Sequence, residues 1–122
     1  MSRIMIVDDE PDIIESVKTI LETEGYEVVG ANSGDECLKK LEKESVDLIL
    51  MDFFMPGMDG RVVIEKIRKN RDLKFLKIAF LTSATFRKKG MDIMEELGVL
   101  DYITKPIEID DFTSRIKKIM EK

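Results

Sequence analysis

Four apolar residues, Leu48-Ile-Leu-Met51, run without a break into a carboxylate, Asp52, and the chain then turns through Pro56-Gly57 and Asp59-Gly60. A short unbroken apolar run bounded by turn residues is the pattern of a strand covered on both faces, as in the interior of a parallel sheet. Asp52 therefore sits where a central strand leaves the sheet. A carboxylate in that position is costly unless partners hold it, so the rest of the chain must supply them.

Four other strand runs begin at Ile4, Val28, Ile78 and Tyr102, and a helical pattern follows every strand. The first helix starts through Asp8-Asp9-Glu10-Pro11, carries Ile13, Ile14, Val17, Ile20 and Leu21 on one face, and stops at Gly25. Ser33 and Glu36 have capping-box spacing ahead of a second helix whose inner face is Cys37, Leu38 and Leu41. Asp59 caps a third helix marked by Val63, Ile64 and Ile67. A polar loop over 70–77, tucked down by Leu73, Phe75 and Leu76, leads into a strand over 78–82. Phe86, Met91, Met94 and Leu97 predict the fourth helix, ended by Gly98. A strand over 101–104, a turn at Lys105-Pro106, and a last helix with the stripe Ile109, Phe112, Ile116 and Ile119 complete the chain. Five β-α units predict an α/β fold with helices on both faces of a parallel sheet, and one domain over residues 1–122.

Composition removes several functions. With no histidine, serine–histidine hydrolysis, histidine-ligated zinc and a phosphohistidine on this chain are excluded. One cysteine excludes an internal disulfide and fits a reducing, cytoplasmic setting. The net charge of -5 argues against direct nucleic-acid binding. No apolar stretch approaches the ~20 residues of a membrane span, and the start of the chain predicts no signal peptide.

Parallel strands all point one way, so Asp8, Asp9, Asp52, Thr82 and Lys105 gather at one edge of the sheet, where open α/β sheets hold their ligands. Three carboxylates then face one ammonium. At ~4 Å and an effective dielectric of ~20, each unit pair is worth about 4 kcal/mol, so the cluster calls for a divalent cation. Oxygen-only ligands select Mg²⁺ first and Mn²⁺ second. An aspartate can act as a nucleophile toward phosphorus, and Lys105, the metal and the Thr82 hydroxyl would stabilise the charge. No general base points into the site, so the resulting acyl-phosphate is expected to hydrolyse slowly.

At this point the chain resembles a response-regulator receiver domain, the phosphoacceptor of two-component signalling. The resemblance rests on Val7-Asp-Asp-Glu-Pro11, Ala31-Asn-Ser-Gly34, Asp47-Leu-Ile-Leu-Met-Asp52, Met55-Pro-Gly-Met-Asp-Gly60, Leu81-Thr-Ser-Ala84 and Gly98-Val-Leu-Asp-Tyr-Ile-Thr-Lys-Pro106. It implies a flavodoxin-like, doubly wound five-stranded sheet in the order 2-1-3-4-5 with five helices. It implies Asp52 as phosphoacceptor, and Asp8, Asp9, Asp52 and the Phe54 carbonyl as metal ligands. Thr82 and Tyr102 become the switch pair, Lys105 the phosphate contact, and Lys105-Pro106 a cis bond. The donor would be the phosphohistidine of a histidine kinase or phosphotransfer protein, since this chain has none. Thr82 would move to the phosphoryl group, Tyr102 would rotate into the space left, and the surface of helix four, strand five and helix five would signal to a downstream protein. Such a chain is a phosphoacceptor rather than a conventional enzyme, and no output domain is expected within it. Phe54 and Ala84, often polar or larger in this family, are expected to lengthen the life of the acyl-phosphate.

Three other readings compete. An aspartate-nucleophile phosphatase would need a second acid where Phe54 stands. A flavodoxin-like nucleotide binder would need a Ser-, Thr- and Gly-rich loop where Asp8-Asp9-Glu10-Pro11 repels phosphate. An unphosphorylated docking module of the same fold would be indifferent to Mg²⁺.

Overall fold

The run Leu48–Met51 is β3, and all four of its residues are buried. The computed structural model describes residues 2–122. In it β3 pairs on one side with β1 (Arg3–Val7) and on the other with β4 (Lys77–Ser83). β2 (Glu27–Ala31) lies outside β1, and β5 (Tyr102–Lys105) lies outside β4. The sheet is parallel throughout, in the order β2-β1-β3-β4-β5, as the resemblance implies.

Side chains alternate across the sheet and make two cores. Met5, Val7, Ile49, Met51, Ile78 and Phe80 face α2 (Gly34–Lys43), α3 (Gly60–Lys69) and α4 (Arg87–Leu97). Ile4, Ile6, Leu48, Leu50, Ala79 and Leu81 face α1 (Pro11–Thr23) and α5 (Ile109–Met120). This is why β3 reads as four apolar residues in a row: both of its faces are covered. Each fully buried Leu or Ile contributes about 1.5–3 kcal/mol. Cys37 lies in the first core, and burial pushes its thiol up to about 12.

The helix starts follow local chemistry. Pro11 opens α1. Ser33 Oγ accepts from the Glu36 N–H at 3.1 Å, while Glu36 Oε1 accepts from the N–H of Asn32, one residue before the cap, at 2.8 Å. Asp59 caps α3 by accepting from the Val62 N–H at 3.0 Å.

Several expectations need correction. Phe75 does not tuck the 70–77 loop down; it is 88 % exposed. The loop winds in helical turns, with the Leu73 N–H on Asn70 and the Leu76 N–H on Leu73, so Leu73 and Leu76 share the inner side and Phe75 faces away. Ile109 is exposed because it begins α5 and overhangs the edge of the core that Phe112, Ile116 and Ile119 fill. Met91 is exposed too: the buried positions of α4 are Gly90 and Ile93, and Met91 lies about 100° around the helix from Gly90. β4 runs on to Ser83 and is followed by a 3₁₀ turn, Ala84–Phe86, that periodicity did not predict. β5 is shifted one residue, so Lys105 ends the strand instead of lying in the turn, and the Lys105-Pro106 bond is cis.

Candidate functional site

Backbone pairing carries two carboxylates past the ends of their strands. The Asp52 N–H donates to the Val7 carbonyl at 3.0 Å, and the Asp8 N–H to the Ala31 carbonyl at 3.1 Å. The loop after Asp52 closes through the Gly60 N–H on the Phe53 carbonyl at 2.9 Å. A Cβ at Gly60 would stand 2.7 Å from the Asp52 carbonyl oxygen, so only glycine lets α3 begin this close to the site.

Four side chains meet there. Asp8 and Thr82 are fully buried and Asp52 is 5 % exposed. The Thr82 hydroxyl donates to Asp52 Oδ1 at 2.7 Å, and the Phe54 N–H reaches the same oxygen at 3.3 Å. The Lys105 ammonium contacts Asp52 Oδ2 at 3.4 Å and makes a closer ion pair with Asp8 Oδ2. The Glu10 N–H donates to Asp8 Oδ1 at 2.9 Å. Burial pushes the Asp8 carboxyl above its ordinary range, more strongly than the hydrogen bonds from Lys105 and Glu10 pull it down. Burial alone would lower the Lys105 ammonium, but the hydrogen bond to Asp8 and the charges of Asp52 and Asp8 together hold it above its ordinary range.

Carboxylate oxygens of Asp8, Asp9 and Glu10 lie within 4.8 Å of one another, with Asp9 and Glu10 at the surface. Asp52 joins this group through Lys105, which pairs with both buried aspartates. Glu10 was missed in the sequence as a candidate ligand; its signal was its place beside Asp9, which the helix start already accounted for. The donors are oxygens of like charge, which suits a hard divalent cation. The chain's one thiol is buried in the core away from them.

Tyr102 is 3 % exposed, and its hydroxyl donates to the carbonyl of Ser83, the residue after Thr82. Its ring lies 5.8 Å from that of Phe80, and the Arg87 guanidinium sits 5.7 Å from its centroid. Burial raises its phenol. The family resemblance implies that Thr82 and Tyr102 move on phosphorylation; here Thr82 is bonded to the free carboxylate and Tyr102 is turned in. Phe54 is 45 % exposed at the rim, with its ring against Phe53 and Phe86, so it borders the site and does not close it. A groove of about 540 Å³ between Leu41, Val46 and Phe75 lies at the opposite edge of the sheet.

Comparison with known proteins gives a consistent result. A family model described as the response regulator receiver domain matches residues 4–117. The alkaline phosphatase synthesis transcriptional regulatory protein PhoP of Bacillus subtilis is 35 % identical over 120 residues, 98 % of this chain and 49 % of that protein. The response regulator protein TrrA of Thermotoga maritima, solved in complex with Mg²⁺-BeF, has a TM-score of 0.84 and 37 % identity over 98 % of this chain and 99 % of that one. A response regulator structure from Chloroflexus aurantiacus has a TM-score of 0.91 and 31 % identity, covering 99 % of this chain and 98 % of that one. The chain spans about half the length of the curated relatives it matches.

Proposed function

The chain belongs to the response-regulator receiver family, and from that membership we propose that it is a Mg²⁺-dependent switch that takes a phosphoryl group on Asp52. Receiver domains act in two-component signalling as phosphoacceptors, not as conventional enzymes, and they work with histidine kinases or phosphotransfer proteins. The observation that carries the finer reading is the nearly buried Asp52 carboxylate, shared between the Thr82 hydroxyl and the Lys105 ammonium, beside an all-oxygen acidic cluster.

In the proposed step an Asp52 oxygen attacks the phosphorus of a partner's phosphohistidine. A P–O bond forms, the P–N bond breaks, and the departing imidazole takes a proton. Asp8, Asp9 and Asp52, with the Phe54 carbonyl, would hold the cation, and Glu10 stands close enough to contribute. Mg²⁺, with Mn²⁺ as the alternative, would neutralise phosphoryl oxygens when bound. Lys105 supplies a fixed positive charge to the incoming group. Thr82 exchanges its bond to Asp52 for one to a phosphoryl oxygen, and Tyr102, already turned in and bonded to the Ser83 carbonyl, is held in that seat by the shift. The face formed by α4, β5 and α5 carries the change to a downstream protein; the net charge of -5 favours a protein over a nucleic acid as that contact.

Beryllofluoride, a phosphoryl mimic that does not turn over, tests the site. Titration followed by tyrosine fluorescence is expected to saturate with Mg²⁺ and to vanish in EDTA. A Mg²⁺-independent response, or none, would contradict the proposal.

A further inference from the structure

We infer that Gly90 is the positioning residue that gives Tyr102 its inward seat, and thereby sets how readily the state of Asp52 reaches the α4 surface. Glycine is the poorest helix former after proline, yet Gly90 is the fourth residue of an eleven-residue helix. Its backbone gives no reason for it. The positive-φ glycines among the described residues are Gly25, Gly57 and Gly98, and Gly90 is not one of them. The reason is space. A Cβ built on Gly90 would stand 2.7 Å from Tyr102 Cδ2 and closer still to Cε2. Side-chain carbons do not approach a ring that closely. Nor can the ring give way. The Phe80 ring backs it at 5.8 Å, the Arg87 guanidinium lies 5.7 Å from its centroid, and its hydroxyl is tied to the Ser83 carbonyl. Gly90 is buried for the same reason: the tyrosine ring occupies the place its own side chain would take.

The seat couples two elements. Its floor is α4 and its anchor is the residue after Thr82, so filling the floor must move either the tyrosine or the helix. The step from seat to signal rests on the proposed switch role of Thr82 and Tyr102; the seat itself does not.

The test is Gly90→Ala, made in a Tyr26→Phe background so that Tyr102 is the one remaining tyrosine. Helix propensity alone makes alanine stabilising at this position. We expect the opposite: a lower Tm, and a Tyr102 fluorescence that acrylamide quenches more strongly. In a Tyr102→Ala background the collision is gone, and the same substitution is expected to raise the Tm. Mg²⁺-beryllofluoride affinity is expected to fall about tenfold in Gly90→Ala with Tyr102 present, within the usual range for linked sites. A Tm that rises equally in both backgrounds, with Tyr102 still protected, would overturn the inference. Unchanged beryllofluoride affinity despite a displaced tyrosine would overturn the coupling. Melting and quenching need no phosphoryl mimic. Failure of the parent protein to bind beryllofluoride would thus count against the phosphoacceptor reading alone, leaving the seat to be judged by them.

Discussion

Lys105 serves two buried carboxylates with a single ammonium, and burial works against the charge of Asp8. Its pKa is raised in the folded chain, so the folded state resists its ionisation. Ionised Asp8 therefore opposes folding at neutral pH, and this opposition fades as the pH falls through the raised value toward the ordinary carboxylate range. Asp8→Asn is expected to raise the metal-free Tm at pH 7, by about 4 °C for each 1 kcal/mol relieved. It should also abolish the further rise that Mg²⁺ gives the parent protein. A metal-free Tm that fell would mean that the ion pair with Lys105 outweighs burial. Asp8, Asp52 and Thr82 were legible in the sequence because each stands where an apolar run stops, and Lys105 because it follows the last strand, just before a proline. Gly90 was not, because a glycine gives no apolar signal and the ring that fills its place lies twelve residues along the chain.

Among the elements, α4 is the least secured at its start. Its cap, Phe86, makes no side-chain bond, and Arg87, Lys88 and Lys89 set positive charge against the positive end of the helix dipole. Its far end is held firmly. Gly98 closes it in the left-handed region at φ 69°. Arg68 donates to Leu97 and Gly98 there, at 2.7 and 3.2 Å, and to Leu76 and Lys74 beside them, at 2.7 and 3.0 Å. Burial lowers the pKa of this guanidinium, which is held by four carbonyls. Arg68→Ala is expected to lower stability by about 2–3 kcal/mol, the scale of hydrogen bonds to a charged group. It should also speed amide exchange at the C-terminal end of α4. A loss within ~0.5 kcal/mol, as for ordinary surface changes, would show that solvent replaces those bonds. Helix four was legible from spacing, and Met94 and Leu97 do pack on the core, but its fully buried positions, Gly90 and Ile93, were not read. Met91 took the weight that belongs to Gly90, and the carbonyls Arg68 binds come from the end of α4 and from the loop before β4, where periodicity gives no signal.

At the scale of the whole molecule, the alternation of five apolar runs with five helical patterns was enough to predict a parallel sheet covered on both faces. It was not enough to order the strands. The order β2-β1-β3-β4-β5 came from the family resemblance, because connection lengths alone do not say on which side of β1 the chain returns. That order makes β1 and β3 neighbours, so Asp8 and Asp52 leave the sheet side by side, with Thr82 on the next strand and Lys105 beyond it. The central claim is that this edge passes a phosphoryl group to Asp52. Intact mass after incubation with acetyl phosphate tests it most directly, in Mg²⁺ and in EDTA, with Asp52→Asn alongside. The account predicts a phosphoryl-sized increase in Mg²⁺, none in EDTA and none in the variant. The same increase in Asp52→Asn, or in EDTA, would contradict it.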